Sequence, residues 1–348
     1  MKEVYLYEKL TSQKVRCLNC AHYCVILDEK RGVCGARKNV GGKLYALNYG
    51  KIIASNIDPI EKKPFFHFLP GTETYSIAAV GCNFICKNCQ NWNISQATKI
   101  LHTEKKQEIE ELTIPGENFT PEKIVENAIK NQCPSIAYTY TEPTIFLEFA
   151  LDTMKVAKKQ GLKNIWVSNG FMSSQSAKLI IPYLDANNID IKSFSESFYV
   201  KNCGARLKPV LETAKLMKKS GIWLEITTLA IPGLSDSEAM FKKIAAFICD
   251  ELGPETPWHI SKFSRAFSWQ LKDLPSTPVK TLKMAYEIGK KAGLKYVYTG
   301  NVPGLDSEDT YCPKCKARNI NRLGYYIERF DKSGNCCECG ESLNLIFK

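Results

Sequence analysis

The sequence predicts an α/β fold: a parallel β/α barrel of the TIM type, partial or complete, with small cysteine-rich metal modules at both ends. Three observations predict it. Strand-like apolar runs alternate with helix-like stretches through the middle of the chain, the signature of parallel β-α units. The helical stretches close on a glycine after their last apolar turn, the expected stop signal. Fifteen cysteines fall into an N-terminal, a central and a C-terminal group, with Cys133, Cys203 and Cys249 apart. The division that follows is residues 1–70, 71–304 and 305–348.

The elements run in order. YSIAAV (75–80) reads as a strand entering the central cysteines. HTEKKQEIEELTIPGENF (102–119) reads as an exposed charged excursion. TPEKIVENAIKN (120–131) is a helix opened by a Thr N-cap and Pro at the first helical position. SIAYTY (135–140) is the next strand, and a helix from about residue 144 ends at KKQG on Gly161. Strands follow at NIWVSNG (164–170), NIDIKSF (188–194), IWLEITTLAIPG (222–233), PWHISKF (257–263) and LKYVYTGN (294–301). The helices between them stop at Gly221, Gly253 and Gly293. Seven strands suit a barrel, where working residues gather at the strands' C-terminal ends. Polar residues predicted there are Glu142, Ser168, Asn169, Asp190, Lys192, Thr227, Thr228, His259 and 299–301.

The 44% hydrophobic and 24% charged fractions are those of a globular domain. MKEVYLYEKLTSQKVR contains no secretory apolar core, and no apolar run is long enough to span a bilayer. The expectation is a cytoplasmic protein without membrane contact. Cytosolic cysteines are read as metal ligands or catalytic groups, not as disulfides. The net charge of +11 suits phosphates or nucleic acid. The lysines, however, sit largely as pairs at helix ends, where they complement the helix dipole and make a solvated surface.

GCNFICKNCQNW (81–92) carries Cys82, Cys86 and Cys89 as C-x3-C-x2-C. Thiolates suit zinc or iron–sulfur clusters. A structural zinc wants four ligands, so either a distant residue such as His102 completes the set or the missing ligand is the function. A [4Fe–4S] cluster on three thiolates leaves one iron open to a small molecule.

This loop after the first strand of a β/α array resembles that of the radical S-adenosylmethionine (SAM) enzymes. The resemblance implies a [4Fe–4S] cluster on Cys82, Cys86 and Cys89, with SAM chelating the open iron. It implies reductive cleavage of SAM to a 5′-deoxyadenosyl radical that abstracts a substrate hydrogen, with the cofactor supplying the chemistry. It also implies an electron donor such as ferredoxin or flavodoxin. TYTEP (139–143) resembles the family's GGEP-like segment and carries over Glu142 as a SAM contact. Asp190 and Lys192 resemble the D-x-K of glycyl-radical activating enzymes. Asn169 matches the N-G of their D-T-N-G turn, with Val167 in place of its acid. PWH, with His259, resembles the P-Y-H near the SAM nucleoside. Asn88 stands where an aromatic residue usually meets the adenine. The bland alternatives are a surface pair for Asp190 and Lys192, a helix-start acid for Glu142, and a satisfied core histidine for His259.

Cys312, Cys315, Cys336 and Cys339 have zinc-ribbon spacing for zinc or iron, with Cys337 an in-register alternative. Cys17, Cys20, Cys24 and Cys34, with His22 among them, suit zinc or a second iron–sulfur cluster. Cys203 reads as a small buried hydrophobe or, alternatively, a substrate-facing thiol or radical relay.

DPIEKKPFFHFLPG, CQNWNISQ, YTEPTIF, PWH and KYVYTGNVPG with YCPKC look like the radical SAM component of the AmmeMemoRadiSam system. That resemblance implies Memo-type and AMMECR-type partners and leaves the substrate open. Ser264 replaces that family's usual His after the PWH strand. Three other readings stand beside it: a glycyl-radical activating enzyme, an RNA-modifying radical enzyme, and a non-catalytic zinc-ribbon module that binds nucleic acid or a partner.

Overall fold

The computed structural model describes residues 1–99, 114–302 and 304–347. His102 and most of the predicted charged excursion lie outside the described residues. The large sheet has eight strands: β1 (Ala54–Pro59), β2 (Glu73–Ala78), β3 (Ser135–Tyr138), β4 (Lys163–Ser168), β5 (Ala186–Asp190), β6 (Trp223–Ala230), β7 (Trp258–Lys262) and β8 (Val297–Gly300). They lie side by side in chain order. β2 to β8 are parallel, and β1 pairs antiparallel with β2.

Six helices make the crossovers: α1 (Pro121–Lys130), α2 (Leu147–Lys159), α3 (Ser174–Ile180), α4 (Leu207–Lys219), α5 (Glu238–Phe247) and α6 (Val279–Lys291). Consecutive strand order is that of a barrel, but among the described residues no bridge joins β8 to β1 or β2, so the barrel is partial.

Local chemistry explains these elements. Thr120 caps α1 by accepting from the Lys123 N–H, with Pro121 at the first helical position. The paired lysines 158–159, 218–219 and 290–291 fall in the last turns of α2, α4 and α6. Along the strands the side chains alternate. Ile77, Trp166, Ile226 and Trp258 pack in the main core beneath the helices. On the other face Ala137, Ile165 and Ala186 meet Ile60, Phe65, Phe68 and Leu69, so the PFFHFL segment fills part of the barrel interior. Removing Phe65 there would cost about 3–5 kcal/mol.

Several boundaries differ from the sequence reading. β5 starts at Ala186 and ends at Asp190, leaving Lys192 in the following loop. The run looked longer because Ile191, past the strand's end, is apolar and packs in the main core. β1 has no apolar run to announce it, because its edge position tolerates Ser, Asn, Asp and Pro. It also ties residues before position 71 into the large sheet.

The N-terminal region carries two three-stranded sheets around Val4, Val15, Cys17, Ile26, Leu44 and Ala46. It sits against the end of β4: Ala21 N donates to Phe171 O at 3.1 Å and Ser173 N to Asn19 O at 3.2 Å. The C-terminal module is a sheet of Thr310–Tyr311, Arg318–Leu323 and Tyr326–Arg329. Buried Arg322 docks it by donating to Phe66 O at 3.0 Å, with the guanidinium 4.2 Å from the Phe66 ring centre. The tail adds bonds from Leu69 N to Ile346 O at 2.7 Å and from Ile346 N to His67 O at 2.8 Å.

Candidate metal and cofactor site

β2 delivers the chain to Gly81, whose φ of +105° opens the turn into the three-cysteine loop. The loop is pinned from outside. Ile85 N donates to Cys203 O at 2.9 Å, Lys87 N to Asn202 O at 3.0 Å, and Gln270 N to Lys87 O at 2.8 Å. Gly204, at φ +66°, lets the chain approach so closely that a Cβ there would lie 2.6 Å from Ile85 Cγ1. Asn88 accepts from Asn202 Nδ2 at 2.8 Å, so in place of the usual aromatic it fastens the loop.

The sulfurs meet donors. Cys82 Sγ accepts from Phe84 N at 3.3 Å and lies 3.8 Å from Asn169 Nδ2. Cys89 Sγ and Ser95 Oγ share a hydrogen bond at 3.2 Å. Among the described residues, no three metal-ligating atoms at this loop come within 4.8 Å of one another. Four thiolates on one zinc stand about 3.8 Å apart, given Zn–S bonds near 2.3 Å, so the loop is not closed on a single ion. Burial holds the Cys82 and Cys89 thiols above their ordinary range, opposed by Lys99 at Cys82 and by Ser95 and Lys192 at Cys89. Thiolates in such surroundings form when a metal supplies the charge.

Glu142, Asn169, Asp190 and Lys192 come together at the same end of the sheet. The buried Glu142 carboxylate accepts from Thr144 N at 3.0 Å, Thr144 Oγ1 at 2.5 Å, Ser168 Oγ at 2.9 Å and Asn169 N at 2.8 Å. It therefore brackets the ends of β3 and β4, and burial pushes its pKa up. Asn169 Nδ2 donates to Asn83 Oδ1 at 2.7 Å and its Oδ1 accepts from Phe171 N at 2.9 Å. Lys192 Nζ donates to Asp190 Oδ2 at 2.8 Å. Burial alone would lower the Lys192 pKa, but Asp190 and the Cys86 and Cys203 sulfurs hold it well above the ordinary value.

His259 lies apart. Its Nε2 donates to Glu225 Oε2 at 2.6 Å, and the same carboxylate accepts from Phe66 N, His67 N and Trp223 Nε1, each at 3.0 Å. The imidazole stacks beside Tyr298 and lines a cavity of about 270 Å³ with Glu61, Phe66, Ser261, Asn301 and Glu308. Sequence reasoning missed Glu225 and Lys99 because neither belongs to a motif, and Asn83 because within the cysteine loop only the thiols and Asn88 were singled out. Cys203 is fully buried, as its hydrophobe reading expects, but its thiol also interacts with that of Cys86. All fifteen cysteines are unpaired.

At the C-terminus Cys312, Cys315, Cys336 and Cys339 bring all four sulfurs within 4.8 Å of one another. Cys312 and Cys339 stand 3.6 Å apart, and Cys315 and Cys336 3.5 Å, close to the spacing of one tetrahedral ion. Cys337 turns its sulfur toward Arg318 O, outside this group.

The sequence profile of the radical SAM superfamily matches residues 76–246, from β2 through α5. Residues 76–246 form a radical SAM domain. The chain is also 45% identical over 349 residues to uncharacterized protein MJ0808 of Methanocaldococcus jannaschii, covering 99% of this chain and 100% of that one. Among solved structures it is similar to a domain of a pyruvate-formate lyase-activating enzyme from Bacteroides vulgatus. That match has 16% identity, 47% of this chain, 98% of that one and a TM-score of 0.42. It is also similar to SuiB of Streptococcus suis bound to S-adenosylmethionine, with 11% identity, 66% and 50% coverage and a TM-score of 0.49.

A radical SAM domain implies an iron–sulfur cluster and SAM, and the residues of this one fit them. Three unpaired cysteines too widely set for one ion, hydrogen-bonded sulfurs and two nearby lysines are a donor set for an anionic multi-iron group. No described helix is long and apolar enough to cross a membrane.

Proposed function

We propose that this protein is a radical SAM enzyme that uses a [4Fe–4S] cluster on Cys82, Cys86 and Cys89 to cleave SAM reductively. When bound, the reduced cluster supplies the electron that splits SAM into methionine and a 5′-deoxyadenosyl radical able to take hydrogen from a substrate. The supporting observation is the wide, unclosed set of three cysteines directly after the first parallel strand, inside the segment that matches the superfamily.

The chain's own residues then divide the work. Asn169 and the Phe84 N–H stabilise the Cys82 thiolate by hydrogen bonding. Glu142 holds the 168–169 turn that aims Asn169 at the loop. Asp190 and Lys192 offer one charge of each sign beside the loop, suited to the carboxylate and ammonium of SAM. His259 lines the cavity together with Phe66 and Tyr325, whose aromatic rings suit a nucleoside or a flat substrate.

The quoted segments' likeness to the AmmeMemoRadiSam radical SAM component makes Memo-type and AMMECR-type proteins the proposed partners. A ferredoxin or flavodoxin is the proposed electron donor. Fifteen unpaired thiols support a reducing, cytoplasmic setting. The test is anaerobic cluster reconstitution, reduction, and mass spectrometry for 5′-deoxyadenosine formed from SAM. The reading expects 5′-deoxyadenosine from the reduced protein. A protein that takes up only zinc, or forms none of this product, overturns it.

A further inference from the structure

The N-terminal cysteines gather at a place of their own, away from the C-terminal four. Cys17, Cys20, Cys24 and Cys34 all line one small cavity. Unlike the C-terminal four, no three of their sulfurs come within 4.8 Å of one another, whereas thiolates on one zinc stand about 3.8 Å apart. In this they match the central loop. A multi-iron cluster gives each thiolate its own iron and so sets the sulfurs farther apart than a single ion does.

Two buried donors on the cavity lining are without an acceptor among the described residues: Arg37 Nε and Asn83 Nδ2. Both residues are almost wholly buried, where an unmet N–H costs about 1–3 kcal/mol. Thiolates and bridging sulfides of a cluster in the cavity are the acceptors this lining lacks.

The placement adds a role. Val33, on the lining, is 52% exposed, so one wall reaches solvent. On the other side Asn83 directly follows Cys82 in the chain, and His22 Nε2 donates to the Asn83 carbonyl at 2.8 Å.

We propose that Cys17, Cys20, Cys24 and Cys34 hold a second [4Fe–4S] cluster, not zinc, lying between the surface and the central loop. There it passes single electrons inward. One electron enters from an external iron–sulfur or flavin protein and one leaves toward the central loop, with no bond or proton moved. The relay role rests on the radical SAM reading; the site does not.

The test reconstitutes three full-length proteins anaerobically: wild type, the triple variant Cys82→Ala, Cys86→Ala and Cys89→Ala, and the pair Cys20→Ser with Cys24→Ser. Acid-labile sulfide, iron and zinc are counted per chain, with Mössbauer spectra to separate clusters from mononuclear iron. The expected result is about eight labile sulfides in wild type and about four in each variant, since each [4Fe–4S] cluster holds four. A triple variant that keeps its C-terminal metal, and so its fold, but has no labile sulfide overturns the second cluster, whether or not zinc has taken the site. Failure of the radical SAM reading shows differently, as sulfide kept by the triple variant and missing from the Cys20/Cys24 pair. Reduction of the central cluster by reduced flavodoxin, followed in the Cys20/Cys24 variant, is expected to lose rate and keep its final extent. An unchanged rate overturns the relay.

Discussion

The Arg37 guanidinium forks onto the Glu148 carboxylate at 3.1 and 2.8 Å, with the two side chains only 2% and 1% exposed. Arg37 comes from the N-terminal strand Arg37–Val40 and Glu148 from the first turn of α2. The pair therefore fixes the N-terminal cysteines to the barrel. Removing one partner leaves a buried uncompensated charge, so Glu148→Ala is expected to cost about 3–5 kcal/mol, read by urea unfolding. Replacing both with apolar residues (Arg37→Met with Glu148→Leu) should recover most of that loss. A double variant as unstable as the single one would show that shape, not charge, is what the pair contributes.

The proposed central cluster and C-terminal metal site belong to separate elements, so they should be lost separately. Cys86→Ala is expected to abolish the central cluster and keep the C-terminal metal; Cys315→Ser should do the reverse. Metal and labile-sulfide content per chain decides this. Loss of both metals in proportion in either variant would show that the fold had collapsed.

Asp190 and Lys192 make their 2.8 Å pair beside the loop, and the proposed function assigns them to SAM. Asp190→Asn removes the negative member and keeps the shape. SAM affinity is expected to fall about tenfold, equal to about 1.4 kcal/mol, at unchanged cluster content. Equilibrium binding of SAM to the reconstituted protein checks it. Unchanged affinity would leave the pair as a brace for the loop after β5.

The cysteine loop, the alternation of strands and helices, and the glycine stops were legible because each is a local pattern: thiol spacing, apolar period and turn chemistry. Edge strand β1 was not, because its residues make no apolar run. Nor was the Glu225 hub. A glutamate inside an apolar strand is intelligible only once Phe66, His67, Trp223 and His259 converge on it from distant parts of the chain. Cys203 shows the same limit. Burial was expected from its type, whereas its place against Cys86 comes from a π-helical turn (Tyr199–Cys203) that no sequence period announces. Asp190 and Lys192 were found as a pair, but β5 ends between them, because the apolar run continues past the last ladder bond.

His67 gives the fold a pH dependence with a definite sign. It is fully buried; its Nδ1 donates to Leu343 O at 3.0 Å and its Nε2 accepts from the Tyr298 hydroxyl at 2.7 Å. The Nε2 bond needs the neutral ring, because a protonated Nε2 cannot accept, whereas the Nδ1 bond is kept in either state. Burial pushes its pKa down from 6.5 to about 4, with Glu225 opposing and Arg322 assisting. Between those values the unfolded chain binds a proton that the folded one excludes, so stability falls as pH drops from about 6.5 to about 4 and levels below. At roughly 1.4 kcal/mol per unit, the full loss is about 3 kcal/mol. His67→Phe should be less stable at pH 7, for want of the two bonds, yet lose less on going to pH 4.5. Any pH-driven loss of cysteine-bound metal is common to both proteins, so the difference between their urea midpoints isolates His67. Parallel curves for the two proteins would show that His67 titrates alike in the folded and unfolded chain.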